Sequence, residues 1–227
     1  MDHEKINPLY EIKKYFQYLS VLDYTLLPRH REFLLDSFVP FLEKGKDFDT
    51  LLEEISRCSK CSLSRTRKQP VIEKEFHSQK LMVIGEFPSR DDDFYGHPFS
   101  GSTGEMLQKM LLSIGLKLKD FYPSLVVKCK PPAGRLPEEE ELNTCKNYLF
   151  REITLIKPKM ILALGNLPPK IFLNKPEPIS TIRGRPFKFR ESVIIFTYHP
   201  NYMLKNPAVK RLIWEDLKTF RKYYEST

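Results

Sequence analysis

Four short runs of nearly uninterrupted apolar residues constrain this 227-residue chain more than any other feature. They are Leu81 to Gly85, Leu125 to Cys129, Met160 to Gly165 and Val193 to Tyr198, and longer stretches with helical spacing separate them. A strand with one wet face alternates apolar and polar residues, whereas a strand apolar throughout must be covered on both faces. Strands of the second kind, alternating with helices, predict a parallel sheet between two helical layers. Helices are expected over Gly104 to Ile114, Pro137 to Ile156 and Pro207 to Tyr223, with a shorter one near Pro168 to Leu173. The fold class is therefore α/β: a three-layer α/β/α domain over residues 56–227 with a central four-stranded, mostly parallel sheet.

Residues 1–55 read differently. Tyr15, Leu19 and Leu22, then Phe33, Leu34, Phe38, Phe41 and Leu42, then Leu51, Leu52 and Ile55 recur at helical spacing, broken at Pro28 and Pro40. An N-terminal extension of two or three helices is expected there, grouping no residues able to do chemistry. The charge divides at almost the same place. Residues 1–57 carry 8 Lys/Arg against 11 Asp/Glu, a net −3, and residues 58–227 carry 29 against 18, a net +11. A polyanionic partner for the second part is the simplest use of that surplus. The N-terminus has no signal-peptide pattern and no apolar run reaches about 18 residues, so a cytoplasmic, non-membrane protein is expected.

A reducing compartment disfavours disulfides, which leaves metal or redox chemistry for Cys58 and Cys61, two residues apart once the intervening Ser-Lys is counted, and for Cys129 and Cys145. A tetrahedral thiolate site fits the count, and spacing alone admits zinc, a 4Fe-4S cluster or unrelated buried thiols.

In parallel sheets ligands bind beyond the carboxyl ends of the strands. Glu86, Lys128 with Cys129, and His199 with Pro200 fall there. Residues 85–104 leave the first strand through an acidic loop, Asp91-Asp92-Asp93, and enter a helix through Gly-His-Pro-Phe-Ser-Gly-Ser-Thr-Gly. Gly101 and Gly104 would let backbone N–H groups approach a phosphate, and the carboxylates could orient water. Arg183, Arg185 and Lys188 form a basic loop that can face DNA or solvent.

Taken together, the segments 85–104, Val126-Val127-Lys128-Cys129-Lys130-Pro131-Pro132 with Arg135 and Cys145, and His199-Pro200-Asn201 with Met203-Leu204 resemble the motifs of the family 4, iron–sulfur uracil-DNA glycosylases. The resemblance spans about residues 56–222. It implies an enzyme that excises uracil or a related deaminated base from DNA for base excision repair, with a 4Fe-4S cluster, or alternatively zinc, on Cys58, Cys61, Cys129 and Cys145; a monomer is expected by default. It implies that Phe99 stacks on a flipped-out base and that His199 donates to the uracil O2. Glu86, Asp92 and Asp93 would orient water, Gly101, Ser102, Gly104 and Asn201 would hold phosphates, and Met203 with Leu204 would wedge into the DNA.

The chain departs from the pattern at Leu125, where the family has an Asn that reads the base edge, and at Phe87 and Ser89, where it has small residues. A leucine cannot hydrogen-bond a base, so strict uracil selection loses its main reader. The alternative function is a DNA-binding protein of weak or no catalysis on the same scaffold.

Overall fold

The computed structural model of the protein describes residues 47–75, 80–173 and 177–226. The described residues belong to one compact unit, 46–227, and the expected helices before residue 47 lie outside the described residues. No helix among those described is long and apolar enough to cross a membrane.

In chain order the elements are helix α1 (47–56), a 3-10 turn Ser62–Arg65, β1 (Leu81–Gly85), α2 (Arg90–Tyr95), α3 (Gly101–Leu112), β2 (Phe121–Leu125) and α4 (Glu139–Ile156). There follow β3 (Met160–Leu164), α5 (Leu167–Phe172), α6 (Ile179–Ile182), β4 (Pro186–Phe189), β5 (Ser192–Thr197), α7 (Pro200–Lys205) and α8 (Lys210–Glu225). They build one five-stranded sheet in the order β2-β1-β3-β5-β4, with every pairing parallel except β4 with β5.

Two expectations change. The sheet has five strands rather than four, because Pro186–Phe189 turns back on β5 through Arg190-Glu191, with Arg190 in the left-handed region at φ 53°. That strand alternates exposed and half-buried residues, as an edge strand does, and so lacks the continuous apolar signature. The second strand lies at Phe121–Leu125, four residues before the apolar run read as strand. Pro123 lacks a ladder donor, but β2 is an edge strand, where a proline costs little. The run Val126 to Cys129 is buried off the sheet, with Val126 and Val127 donating to the carbonyls of Gly85 and Glu86 and with Val71 donating to Lys128.

Successive side chains of a strand point to opposite faces, and the core divides accordingly. Met82, Ile84, Ile161, Ala163, Ile194 and Phe196 meet α4 and α1 on one side, where Phe48, Leu51 and Ile55 are buried. Leu81, Val83, Leu162, Leu164 and Ile195 meet α3 and α8 on the other, through Leu107, Leu111, Ile213 and Leu217. Each fully buried aliphatic side chain contributes about 1.5–3 kcal/mol. Arg183, read from sequence as part of a basic loop facing DNA or solvent, is tied to Asp216 of α8, with Nη2 2.6 Å from Oδ1, and donates to the carbonyl of Leu212.

Candidate active site

The carboxyl ends of four strands converge on a cavity of about 500 Å³. In sheet order these ends supply Leu125 from β2, Glu86 after β1, Gly165 and Asn166 after β3, and Tyr198 and His199 after β5, while Asp92 and Phe99 enter from the 86–104 loop. A parallel sheet aims these ends one way, so residues up to 113 positions apart in the chain become neighbours in the site.

Glu86 is held by one oxygen. Its Oε1 accepts the backbone N–H groups of Asn166 at 2.8 Å and Leu167 at 3.2 Å, at the start of α5. Burial raises its pKa above the usual carboxylate value, against the lowering effect of those two N–H groups. The approach needs Gly165, which has φ +94° and where a Cβ would sit 2.4 Å from Glu86 Cδ.

Asp92 is buried, and burial raises its pKa. Both of its oxygens are occupied: Oδ2 accepts from Ser89 N–H at 2.7 Å and Oδ1 from Ser100 N–H at 2.6 Å. With Ser89 Oγ accepting from Asp92 N–H it completes a capping box on α2, closing the loop between β1 and α3. Asp93 does not join the site; its Oδ1 accepts from Lys68 N–H at 3.0 Å, and it is not among the cavity-lining residues.

Phe99 is buried against Leu125 and the backbone of Gly85. It has φ 57°, a left-handed conformation that a bulky residue adopts only where its surroundings enforce it. Gly104 is part of that enforcement, since a Cβ there would meet the Phe99 carbonyl oxygen at 1.8 Å. Leu125 is 2% exposed and presents only hydrocarbon.

His199 caps α7, its Nδ1 accepting from Asn201 N–H at 3.3 Å. Burial pushes its pKa down to about 4, so the ring is neutral near pH 7 and its proton sits on Nε2. Asn201 Oδ1 accepts from Thr103 Oγ1 at 2.7 Å, tying α7 to α3.

Gly101 and Ser102 are exposed at the start of α3, and Gly104 is buried one turn in. On α7, Met203 is half-buried and Leu204 is exposed. None of these five lines the cavity. Sequence reading missed Asn166, Tyr198, Tyr202 and Lys205, which do. Asn166 had a usable signal, since it follows the third apolar run directly, as Glu86 follows the first.

On the other face of the sheet, Cys58, Cys61, Cys129 and Cys145 line a second, small cavity. Arg67 donates to Cys129 Sγ at 2.9 Å and to the Cys58 carbonyl at 2.9 Å, and Lys128 N–H donates to Cys145 Sγ at 3.3 Å. Among the described residues no group of three or more His, Cys, Asp or Glu is arranged to hold a single metal ion. The Lys128 side chain runs the other way, to Glu152 Oε2 at 2.7 Å, Ser124 Oγ at 2.7 Å and the Leu125 carbonyl at 3.0 Å.

Residues 74–218 match the family model described as the uracil DNA glycosylase superfamily. The chain is 36% identical over 183 residues to a type-4 uracil-DNA glycosylase of Sulfurisphaera tokodaii, covering 77% of this chain and 83% of that protein. Corresponding enzymes of Archaeoglobus fulgidus and Pyrobaculum aerophilum are 33% and 32% identical, over 76% and 77% of this chain and 91% and 93% of theirs. The match runs from before β1 into α8 and so contains every strand end that builds the cavity; by that span and that identity, the chain belongs to the uracil-DNA glycosylase superfamily.

Proposed function

We propose that this protein is a DNA glycosylase that hydrolyses the N-glycosidic bond of uracil, or of a related deaminated base, at the first step of base excision repair. The observation that carries this reading is the strand-end cavity that joins a half-buried carboxylate, Glu86, an aromatic floor, Phe99, and a neutral imidazole, His199. Such an enzyme takes its base out of the helix before it can reach the bond. Phe99 stacks on the extruded base. His199 Nε2–H donates to its O2 as the bond between the sugar C1′ and the base nitrogen breaks and the electron pair departs with the base. The neutral ring suits this task, because it stabilises the developing anion without first giving up a partner carboxylate.

Glu86, anchored through Oε1, has Oε2 left to orient a water toward C1′ and take its proton, and its charge offsets the oxocarbenium-like sugar. The geometry supports a narrower set of acids than the sequence suggested. Asp92 spends both oxygens on the loop and acts as a positioning residue, and Asp93 faces Lys68. Gly101, Ser102, Gly104 and Asn201 serve as phosphate contacts, and Met203 with Leu204 as the wedge, as the resemblance implies; the exposure of Gly101, Ser102 and Leu204 supports this, whereas Gly104 is buried against the Phe99 carbonyl.

The four cysteines, which line one small cavity, fit the iron–sulfur cluster that the resemblance implies, with zinc as the alternative that four thiolates also admit. In a cluster each thiolate binds its own iron, and N–H donors to sulfur such as those of Arg67 and Lys128 are what tune it. A bound cluster would supply a structural cross-link between the 58–61 loop, the 126–129 segment and α4. It takes no part in the hydrolysis.

The test is release of uracil from a uracil-containing oligonucleotide, read as alkali-labile strand cleavage. Wild type should cleave, and His199→Ala and Phe99→Ala should each lose roughly 10²–10³-fold in rate. A DNA gel shift without base loss at high enzyme would instead favour the non-catalytic DNA-binding reading, which the apolar Leu125 motivates. Iron and sulfide analysis of anaerobically purified protein decides the cluster, and colourless protein containing zinc would overturn it.

A further inference from the structure

The outer face of α8 carries an arrangement that the proposed base pocket does not use. Its inner face is buried through Ile213, Leu217 and Phe220. At i, i+4 spacing on the outside stand Lys210, Trp214 and Lys218, and Trp214 is the one tryptophan of the chain. It is 46% exposed, with Lys218 Nζ over its ring at 3.7 Å from the centroid. The ring is thus an accessible aromatic surface set among cations, held by a cation–π contact and continuous with the lysines on either side. Lys210 and Lys218 have no ion pair among the described residues, and Arg211, 82% exposed, has only a 3.7 Å contact with Glu215.

The position of the helix gives this face a partner. Asp216 is level with the last residue of β5, whose Thr197 Oγ1 donates to it at 2.6 Å, and Phe220 stacks on Phe121 at the opposite, amino end of β2. The helix thus runs away from the cavity, and Lys210 to Trp214 project past the carboxyl edge of the sheet by about 3–9 Å at 1.5 Å per residue. Only Asn206 and the turn Pro207–Val209 separate them from α7, which carries Met203 and Leu204.

We infer that Lys210, Arg211 and Trp214, backed by Lys218, form a second DNA contact that takes the strand flanking the extruded nucleotide. The lysine and arginine neutralise phosphates, and the ring offers a stacking face to the sugar or base beside them. The inference rests on the glycosylase reading for its ligand. Its test uses the full chain and a duplex carrying a stable abasic-site analogue.

Trp214 emission should change saturably on titration, because no other tryptophan contributes. The variant Lys210→Ala/Arg211→Ala should lower the slope of log K against log salt by about 2 and weaken binding about tenfold at moderate salt. Lys222→Ala, toward the far end of the helix, should leave both unchanged. If wild type excises uracil while the emission and the slope do not respond, this contact is overturned and the glycosylase reading stands. If emission and slope respond but no uracil is released, the contact stands and the glycosylase reading falls.

Discussion

Three side chains set the chemistry expected of the pocket, and each is tuned by something other than its identity. Burial holds His199 neutral down to about pH 4 and raises Glu86 above the ordinary carboxylate value. A carboxylate that must be ionised to orient water loses function as pH falls through its raised pKa. The single-turnover rate should therefore drop on an acid limb that belongs to Glu86 and lies above the ordinary carboxylate value. In Glu86→Gln the rate should be lower, without that limb and flat until about pH 4; a limb near 6.5, the value of an unperturbed His, in Glu86→Gln would contradict the neutral imidazole. Leu125 makes the opposite kind of statement, since its side chain offers the base no hydrogen bond. Leu125→Asn, which keeps the number and branching of the side-chain heavy atoms, should raise discrimination of uracil over cytosine by about tenfold or more, measured as the ratio of excision rates on matched oligonucleotides.

Short elements and their junctions do the positioning. The first turn of α5 takes Glu86 Oε1 through two backbone N–H groups, and the bend at Gly165 admits it. Gly165→Ala should push the carboxylate off those donors, so that kcat falls while the protein remains folded by circular dichroism. A rate equal to wild type would show that the anchor is dispensable. The hairpin β4–β5 and the true place of β2 were the elements least visible in sequence. The edge strand β4 alternates exposed and half-buried residues, and β2, though buried throughout, has one flank without a ladder partner and so tolerates Pro123. Helix α1, read as the tail of an extension, puts Phe48, Leu51 and Ile55 into the core beside the cysteine loop.

Across the molecule, one buried network joins the two cavities. Lys128 follows Val127 out of the sheet, gives its N–H to Cys145 and sends its ammonium to Glu152, Ser124 and the carbonyl of Leu125. Both charged side chains are at most 2% exposed, so neither can be left alone: removing one partner of such a pair costs about 3–5 kcal/mol. Glu152→Ala should lower stability by that order in denaturant unfolding, and the double variant Lys128→Met/Glu152→Leu should recover much of it. Equal losses in both would show that the pair does not act as a unit.

What the sequence determined by itself is whatever local pattern encodes. Apolar runs of strand length demanded a doubly covered sheet, and the rule that ligands lie beyond strand ends already singled out Glu86 and His199. The cysteine count and the motif order came the same way. Only the tertiary structure decided which of those candidates meet. Asp92 and Asp93 are adjacent in sequence, yet one clamps the loop beside the cavity and the other turns to Lys68. Asn166 carries no motif, and the strand order brings it to the cavity. Periodicity records which residues are covered. Which ones face each other depends on sheet order and register, and these are set by packing across many residues at once.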